Sequence, residues 1–268
     1  MLSGAIFSNV TQSAIIIMSQ RLCLAIIISG FITGHASAAK RKEPVVPTSS
    51  VFATNYDKTQ IHTTPVHSSV PKLSTKRANF KQETATQASV YLADWVIDSG
   101  DNQQMPFLIV DKKAAKVYAF DALGQLTGAA PALLGLAVGD DSIPNIGTMA
   151  LASIKPEQRT TPAGRFVASL GKNIHNKEIL WVDYDAAISL HRVVTSSPKE
   201  RRLQRLESQN PLERRISYGC INVPVKFYDQ VVSPTFTGTS GIVYVLPDTR
   251  SVKEVFGSYS VDDRALEQ

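Results

Sequence analysis

Cys220 is the residue around which chemistry is most readily built. It is one of two cysteines in 268 residues, the other being Cys23, and it stands in Ile216-Ser-Tyr-Gly-Cys-Ile-Asn-Val-Pro224. Gly219 allows a sharp turn, so the amide N–H groups of Tyr218, Gly219 and Cys220 can converge on one concavity, where they would hold a developing oxyanion. A thiol beside such a nest suits acyl transfer. With an ordinary pKa of about 8.5 the thiol needs a base, and imidazole is the usual one because it exchanges its proton near neutrality. Beyond residue 88 there are two histidines. His175 lies in the polar turn Lys172-Asn-Ile-His-Asn-Lys177, whereas His191 ends the apolar run Ala187-Ile-Ser-Leu-His191. A strand end can aim a core-anchored side chain into a cleft, which makes His191 the base candidate, against a structural role for either ring. No acidic or histidine partner sits at a ligand spacing from Cys220, so neither a metal nor a cofactor is expected.

Composition narrows the setting. Lys plus Arg total 28 against 23 Asp plus Glu, and 43% of residues are hydrophobic. That is enough to bury a core, and too mild a basic excess, without a basic run, to suggest nucleic acid. Residues 18–39 give a charged start, the apolar run Leu22 to Ile32 and an Ala36-x-Ala38 cleavage pattern, the layout of a secretory signal. A signal peptide is expected over residues 1–38, with Met18 as an alternative start; the apolar stretch Ala14 to Met18 keeps an uncleaved membrane anchor open. The expected location is therefore the periplasm or cell envelope. With Cys23 removed, Cys220 is a lone thiol outside the cytosol: a buried small hydrophobe, half of an intermolecular bridge, or a nucleophile.

The elements that would position these groups lie downstream of a flexible linker, 39–88, rich in Ser, Thr, Pro and Lys and without apolar period. Residues 89–248 carry the pattern of one domain. Phe107 to Val110 and Lys116 to Phe120 predict a hairpin, and Leu133 to Val138, Gly164 to Leu170, Ile179 to Tyr184, Ala187 to His191 and Gly241 to Leu246 predict further strands. Two helices are expected. Ser197-Pro-Lys-Glu200 reads as a cap and capping box ahead of Arg201 to Ser208, and Pro224 opens Val225 to Val232, which Pro234 stops. Trp181, Tyr184 and Tyr244 read as core, with the lining of a substrate groove as the alternative, and 249–268 reads as a loosely docked polar tail.

Thr161-Pro-Ala-Gly-Arg-Phe166, Ile188-Ser-Leu-His191 and Ser217-Tyr-Gly-Cys-Ile-Asn222, in that order, resemble the L,D-transpeptidase (YkuD-like) catalytic domain over about residues 107–247. The resemblance implies a mainly β fold, a sandwich of mixed sheets with two short helices. It implies Cys220 as nucleophile, His191 as base, the Arg192 carbonyl as the group orienting the imidazole, and the Tyr218, Gly219 and Cys220 amides as oxyanion donors. Ser217 and Asn222 fall on the signature's other polar positions, where they would shape the loop or touch substrate. The implied substrate is a peptidoglycan stem peptide. The acceptor would be an amine of another stem, a lipoprotein lysine, or water, the last giving an L,D-carboxypeptidase.

Two departures stand out. Tyr218 occupies the place of the family's histidine before the glycine, which replaces an imidazole by a phenol and leaves the backbone N–H unchanged. The 25 residues between His191 and Ser217 exceed the family spacing, so a helical insert over 197–210 is expected. Its basic residues, among them Lys199, Arg201, Arg202, Arg205, Arg214 and Arg215, read either as a lid that meets stem carboxylates or as a solvated helical face. Rival readings are a sortase or papain-like cysteine enzyme and a non-catalytic wall-binding domain. In papain-like enzymes the cysteine precedes the histidine, and the Ser-Tyr-Gly-Cys-Ile-Asn segment does not resemble the sortase cysteine region.

Overall fold

The computed structural model describes residues 75–266. The expected signal segment 1–38 and all of the linker before residue 75 lie outside them. Among the described residues no helix is long and apolar enough to cross a membrane.

The described residues form ten strands: β1 (Phe107–Asp111), β2 (Lys116–Phe120), β3 (Leu126–Pro131), β4 (Leu134–Gly135), β5 (Gly164–Lys172), β6 (Glu178–Asp183), β7 (Ile188–Arg192), β8 (Arg215–Ser217), β9 (Ile221–Val223) and β10 (Gly241–Val245). Eight form one mixed sheet in the order β3-β2-β1-β10-β5-β6-β7-β9, and β4 pairs with β8 in a small parallel ladder. β1 runs parallel to β10, and β7 parallel to β9. Strand β5 joins two halves, pairing with β10 through Gly164–Ala168 and with β6 through Ser169–Lys172.

Both halves contribute to one core. Leu108, Val110, Val117, Ala119, Val243 and Val245 from the first half share a cluster with Leu180, Val182, Ile188, Leu190, Ile221 and Val223 from the second. The opposite face of the first half carries Phe107, Ile109, Tyr118, Phe120, Ile242 and Tyr244 into a second cluster under the helix α1 (Gln87–Ser99). Burial on both faces is why β1 and β10 read as unbroken apolar runs rather than as alternating ones.

Helices go beyond the two expected. Thr86 caps α1 by accepting from the Ser89 N–H, Gly100 closes it in the left-handed region, and Leu92, Ala93, Trp95 and Val96 form its buried stripe. The chain is packed well before residue 88. Phe80 sets its edge against Tyr118 and Phe120, with ring centroids 5.5 and 5.0 Å apart, and Arg77 pairs with Asp94 at 2.8 Å. Two aromatic contacts and one buried carboxylate anchor a stretch whose composition alone reads as linker. The C-terminal stretch also docks, through α5 (Val252–Phe256) and α6 (Val261–Leu266). Val252, Phe256 and Tyr259 pack on the second cluster, and Arg264 and the Tyr259 hydroxyl both donate to Asp98 of α1. Polar anchors hold what too few apolar residues would leave loose.

The insert follows a different path from the expected capped helix. Pro198–Glu200 makes one tight turn, Arg201 breaks it at φ 50°, and α2 (Arg202–Glu207) follows. The Ser197 side chain caps nothing, and the Glu200 carboxylate turns to Arg202 instead of back to a backbone N–H. Downstream, α3 (Val225–Phe227) passes through a wide π-turn, Tyr228–Val232, into α4 (Ser233–Phe236), so Pro234 does not stop the helix. Pro234 has no N–H to donate, and the widened turn before it makes room for its ring. The run Leu133 to Val138 holds only the two-residue β4, flanked by bridges from Leu133 to Asn222 and from Ala137 to Thr160.

Candidate active site

Alternation along two neighbouring strands assembles the site. Leu190 pairs with Ile221 and His191 with Asn222 across the parallel β7–β9 ladder. Ile188, Leu190, Ile221 and Val223 enter the core. By the two-residue period of a strand, Ser189, His191, Cys220 and Asn222 then share the opposite face. Leu133 occupies the other edge of β9, exchanging both backbone hydrogen bonds with Asn222 at 2.8 and 2.9 Å. The nucleophile candidate therefore enters a strand held on both sides.

The turn before Cys220 is fixed from three directions. Thr161 Oγ1 accepts from the Gly135 N–H at 2.9 Å and donates to the Gly219 carbonyl at 2.8 Å. Ser217 Oγ donates to the Cys220 carbonyl at 2.6 Å, and the Asn222 amide adds a second donor to that carbonyl at 3.2 Å. Gly219 sits at φ 132°, where a Cβ would lie 2.6 Å from Ile188 Cδ1 and 2.8 Å from the Thr160 carbonyl oxygen. Its N–H donates to Ser217 Oγ at 3.1 Å. This departs from the expected nest of three amides: the Gly219 N–H is spent inside the turn, and the Tyr218 and Cys220 N–H groups are the ones without a protein acceptor among the described residues.

The charge arrangement favours a thiolate. Burial pushes the Cys220 thiol up, but the neighbouring His191 and the N–H and hydroxyl of Ser189 outweigh it and hold the thiol below its ordinary range. The Ser189 hydroxyl lies 3.7 Å from Sγ. Burial likewise pulls His191 down, yet its interaction with Cys220 and with the Arg192 carbonyl raises it above its ordinary value, against the opposing charge of Arg202. His191 Nδ1 is 2.7 Å from the Arg192 carbonyl oxygen. A carbonyl only accepts, so Nδ1 carries the proton and Nε2 is left to serve the thiol. His175 stands in the exposed turn between β5 and β6, away from this group.

The insert supplies one arginine to the site, and three others of that basic group are spent on backbone carbonyls and on Asp248. Arg202 donates through Nη1 to Asn222 Oδ1 at 2.7 Å and through Nε to Glu200 at 2.5 Å. Arg205 donates to the Glu200 and Glu213 carbonyls, and Arg214 to the carbonyls of Ala114, Ala115 and Ser208. Arg215 pairs with Asp248 at 2.7 Å. Three arginines of the expected substrate-facing group are thus structural staples. Thr161 and Ser189 fall inside the motif segments without a role of their own, and Arg202 reads in the sequence only as one of the insert's basic residues. Ser189 was nevertheless signalled, two residues before His191 on one strand face; the reach of Arg202 across the insert has no local signature.

No protein-family model matches this sequence, and no curated protein matches it. Solved structures similar to it include several L,D-transpeptidase domains. The helical cell shape determining protein Pgp2 from Campylobacter jejuni shares 13% identity over 60% of this chain and 52% of its own, with a TM-score of 0.37. The LD transpeptidase LdtMt1 in complex with imipenem shares 14% over 53% and 58%, with a TM-score of 0.30. The catalytic domain of the E. faecium L,D-transpeptidase shares 16% over 53% and 98%, with a TM-score of 0.29. The match spans about half the length of Pgp2.

Proposed function

We propose that this chain is an exported L,D-transpeptidase, a cysteine acyltransferase acting on peptidoglycan stem peptides. The observation that carries the reading is the joined set of a thiol held below its ordinary pKa, an imidazole raised beside it, and a backbone carbonyl 2.7 Å from the imidazole's far nitrogen. The Thr-Pro-x-Gly and Ser-x-Gly-Cys-x-Asn segments that frame this set support the same assignment.

In this mechanism the Cys220 proton rests on His191 Nε2. Sγ attacks the carbonyl joining the third, diamino-acid residue of a stem to its terminal D-Ala, and the carbonyl electron pair moves to oxygen beside the Tyr218 and Cys220 N–H groups. Collapse breaks the C–N bond, and the imidazolium gives its proton to the departing amine, which leaves a thioester and free D-Ala. An acceptor amine then attacks, its proton passes to His191, and the thiolate is expelled. An amine from another stem gives a cross-link, a lipoprotein lysine gives a tether, and water gives a shortened stem.

Mass spectrometry of tetrapeptide muropeptides incubated with the full chain and with Cys220→Ala tests the proposal. Dimers made only by the unaltered chain are expected. Tripeptides alone would make it a carboxypeptidase, and equal products from both proteins would overturn the nucleophile.

A further inference from the structure

The residue that departs from the family pattern, Tyr218, carries a cation on its ring. The Arg159 guanidinium lies over the phenol with its central carbon 4.0 Å from the ring centroid. Nε and Nη2 both donate to the Ile154 carbonyl, at 3.2 and 3.1 Å, which fixes the plane of the fork. Arg159 is half-buried, and no carboxylate of the described residues pairs with it. Every other arginine next to the site is answered: Arg192 by Asp229, Arg202 by Glu200 and Arg215 by Asp248. The segment bearing Arg159 is also part of the nucleophile turn, since the Thr160 carbonyl abuts Gly219 and Thr161 holds the Gly219 carbonyl. A planar, pre-oriented cation with Nη1 unspent and no acid beside it is built for a carboxylate or a similar planar anion. An aromatic platform lets it keep its charge while partly desolvated.

We propose that Arg159, stacked on Tyr218, is the subsite for a carboxylate of the acyl-donor peptide close to the scissile bond. The proposal rests on the acyltransfer reading for the identity of the peptide, and it gives the Tyr218 ring the role of platform for the Arg159 guanidinium. Two carboxylates of a stem satisfy the chemistry, the terminal one on the departing residue and the side-chain one on a diamino-acid residue.

The test compares kcat/KM for a synthetic tetrapeptide acid with its two single carboxamides, using the full chain, Arg159→Gln and Arg159→Lys. The full chain is expected to prefer the acid over one of the carboxamides by about tenfold or more, the worth of a hydrogen bond to a charged group. Whichever carboxamide is penalised identifies the carboxylate. That preference should fall to about one in Arg159→Gln and be partly kept in Arg159→Lys, which retains charge without the fork. An unchanged preference in Arg159→Gln, or equal rates on all three peptides in the full chain, overturns the proposal while leaving acyl transfer intact. If the full chain turns over none of them, the acyltransfer reading fails, and alkylation decides the subsite. Iodoacetate should then modify Cys220 faster relative to iodoacetamide in the full chain than in Arg159→Gln, and an equal ratio in both overturns it.

Discussion

Two side chains that perturb each other in opposite directions make the thiol's pH response the sharpest residue-scale readout. Cys220 is held below an ordinary thiol and His191 above an ordinary imidazole. The ion pair is therefore populated between the lowered thiol value and the raised imidazole value, and activity should fall on the acid side as the thiolate takes a proton and on the alkaline side as the imidazolium loses one. Iodoacetamide alkylation of Cys220 should stay fast to lower pH than for a free thiol, and His191→Ala should move its rise toward the alkaline range. Ser189→Ala removes one of the groups facing Sγ and should slow neutral-pH alkylation about two- to tenfold, a hydrogen bond's worth; an unchanged profile would remove Ser189 from the site. Gly219→Ala meets both a φ of 132° and a Cβ contact of 2.6 Å. It should cost about 1–3 kcal/mol of stability in strain and lower kcat about a hundredfold or more, read by urea unfolding and peptide turnover. These residues were legible in the sequence because thiol, glycine and imidazole are chemically singular. The partner of Tyr218 was not, since a stacking contact across 59 positions leaves no local trace.

Elements were legible where period or punctuation is strong and illegible where partners are distant. The hairpin of β1 and β2 and strand β10 read directly as apolar runs, because burial on both faces demands them. The three-residue strands β8 and β9 carry too little pattern to be seen, yet β9 is what places Cys220 beside Ser189. The insert was seen as an interruption, but its work lies in tertiary contacts that spacing does not encode. Leu206 packs on Leu133 and Val193, which anchors α2 beside β7 and β9, and Arg202 reaches Asn222. Arg202→Met tests whether α2 supports the reaction. The variant removes a charge that opposes His191 protonation, so the His191 titration followed by NMR should move further up. Loss of the charged hydrogen bond to Asn222 should lower kcat/KM about tenfold. A His191 titration unmoved by the change would mean that α2 only covers the sheet.

At the scale of the whole molecule, a buried charge cluster links distant parts of the described chain to the turn before Cys220. Lys112, at the end of β1, donates to Asp140 and to the Thr161 carbonyl at 3.0 Å each, and its side chain is fully buried. Asp140 also accepts from the backbone N–H groups of Asp248, Thr249 and Arg250 and from the Thr249 hydroxyl. Burial pushes the Asp140 carboxyl up, but these donors together hold it well below the usual carboxylate range. A carboxyl whose folded-state pKa is depressed binds fewer protons than in the unfolded chain. Its contribution is therefore complete above the unfolded value near 4 and is lost progressively as pH falls through the folded one. Stability measured by urea midpoint should thus decline below about pH 4, and Asp140→Asn should flatten that part of the acid limb. The same variant leaves Lys112 with Asp248, which it shares with Arg215, as its remaining carboxylate at 3.4 Å, and weakening this buried network should cost about 1–3 kcal/mol at neutral pH. Because Lys112 also holds the Thr161 carbonyl, and Thr161 holds Gly219, the loss should reach the site before the domain unfolds. In Asp140→Asn, Cys220 alkylation should change at urea concentrations where far-UV circular dichroism is still native. Coincident transitions would show instead that the cluster stabilises the fold without tuning the turn.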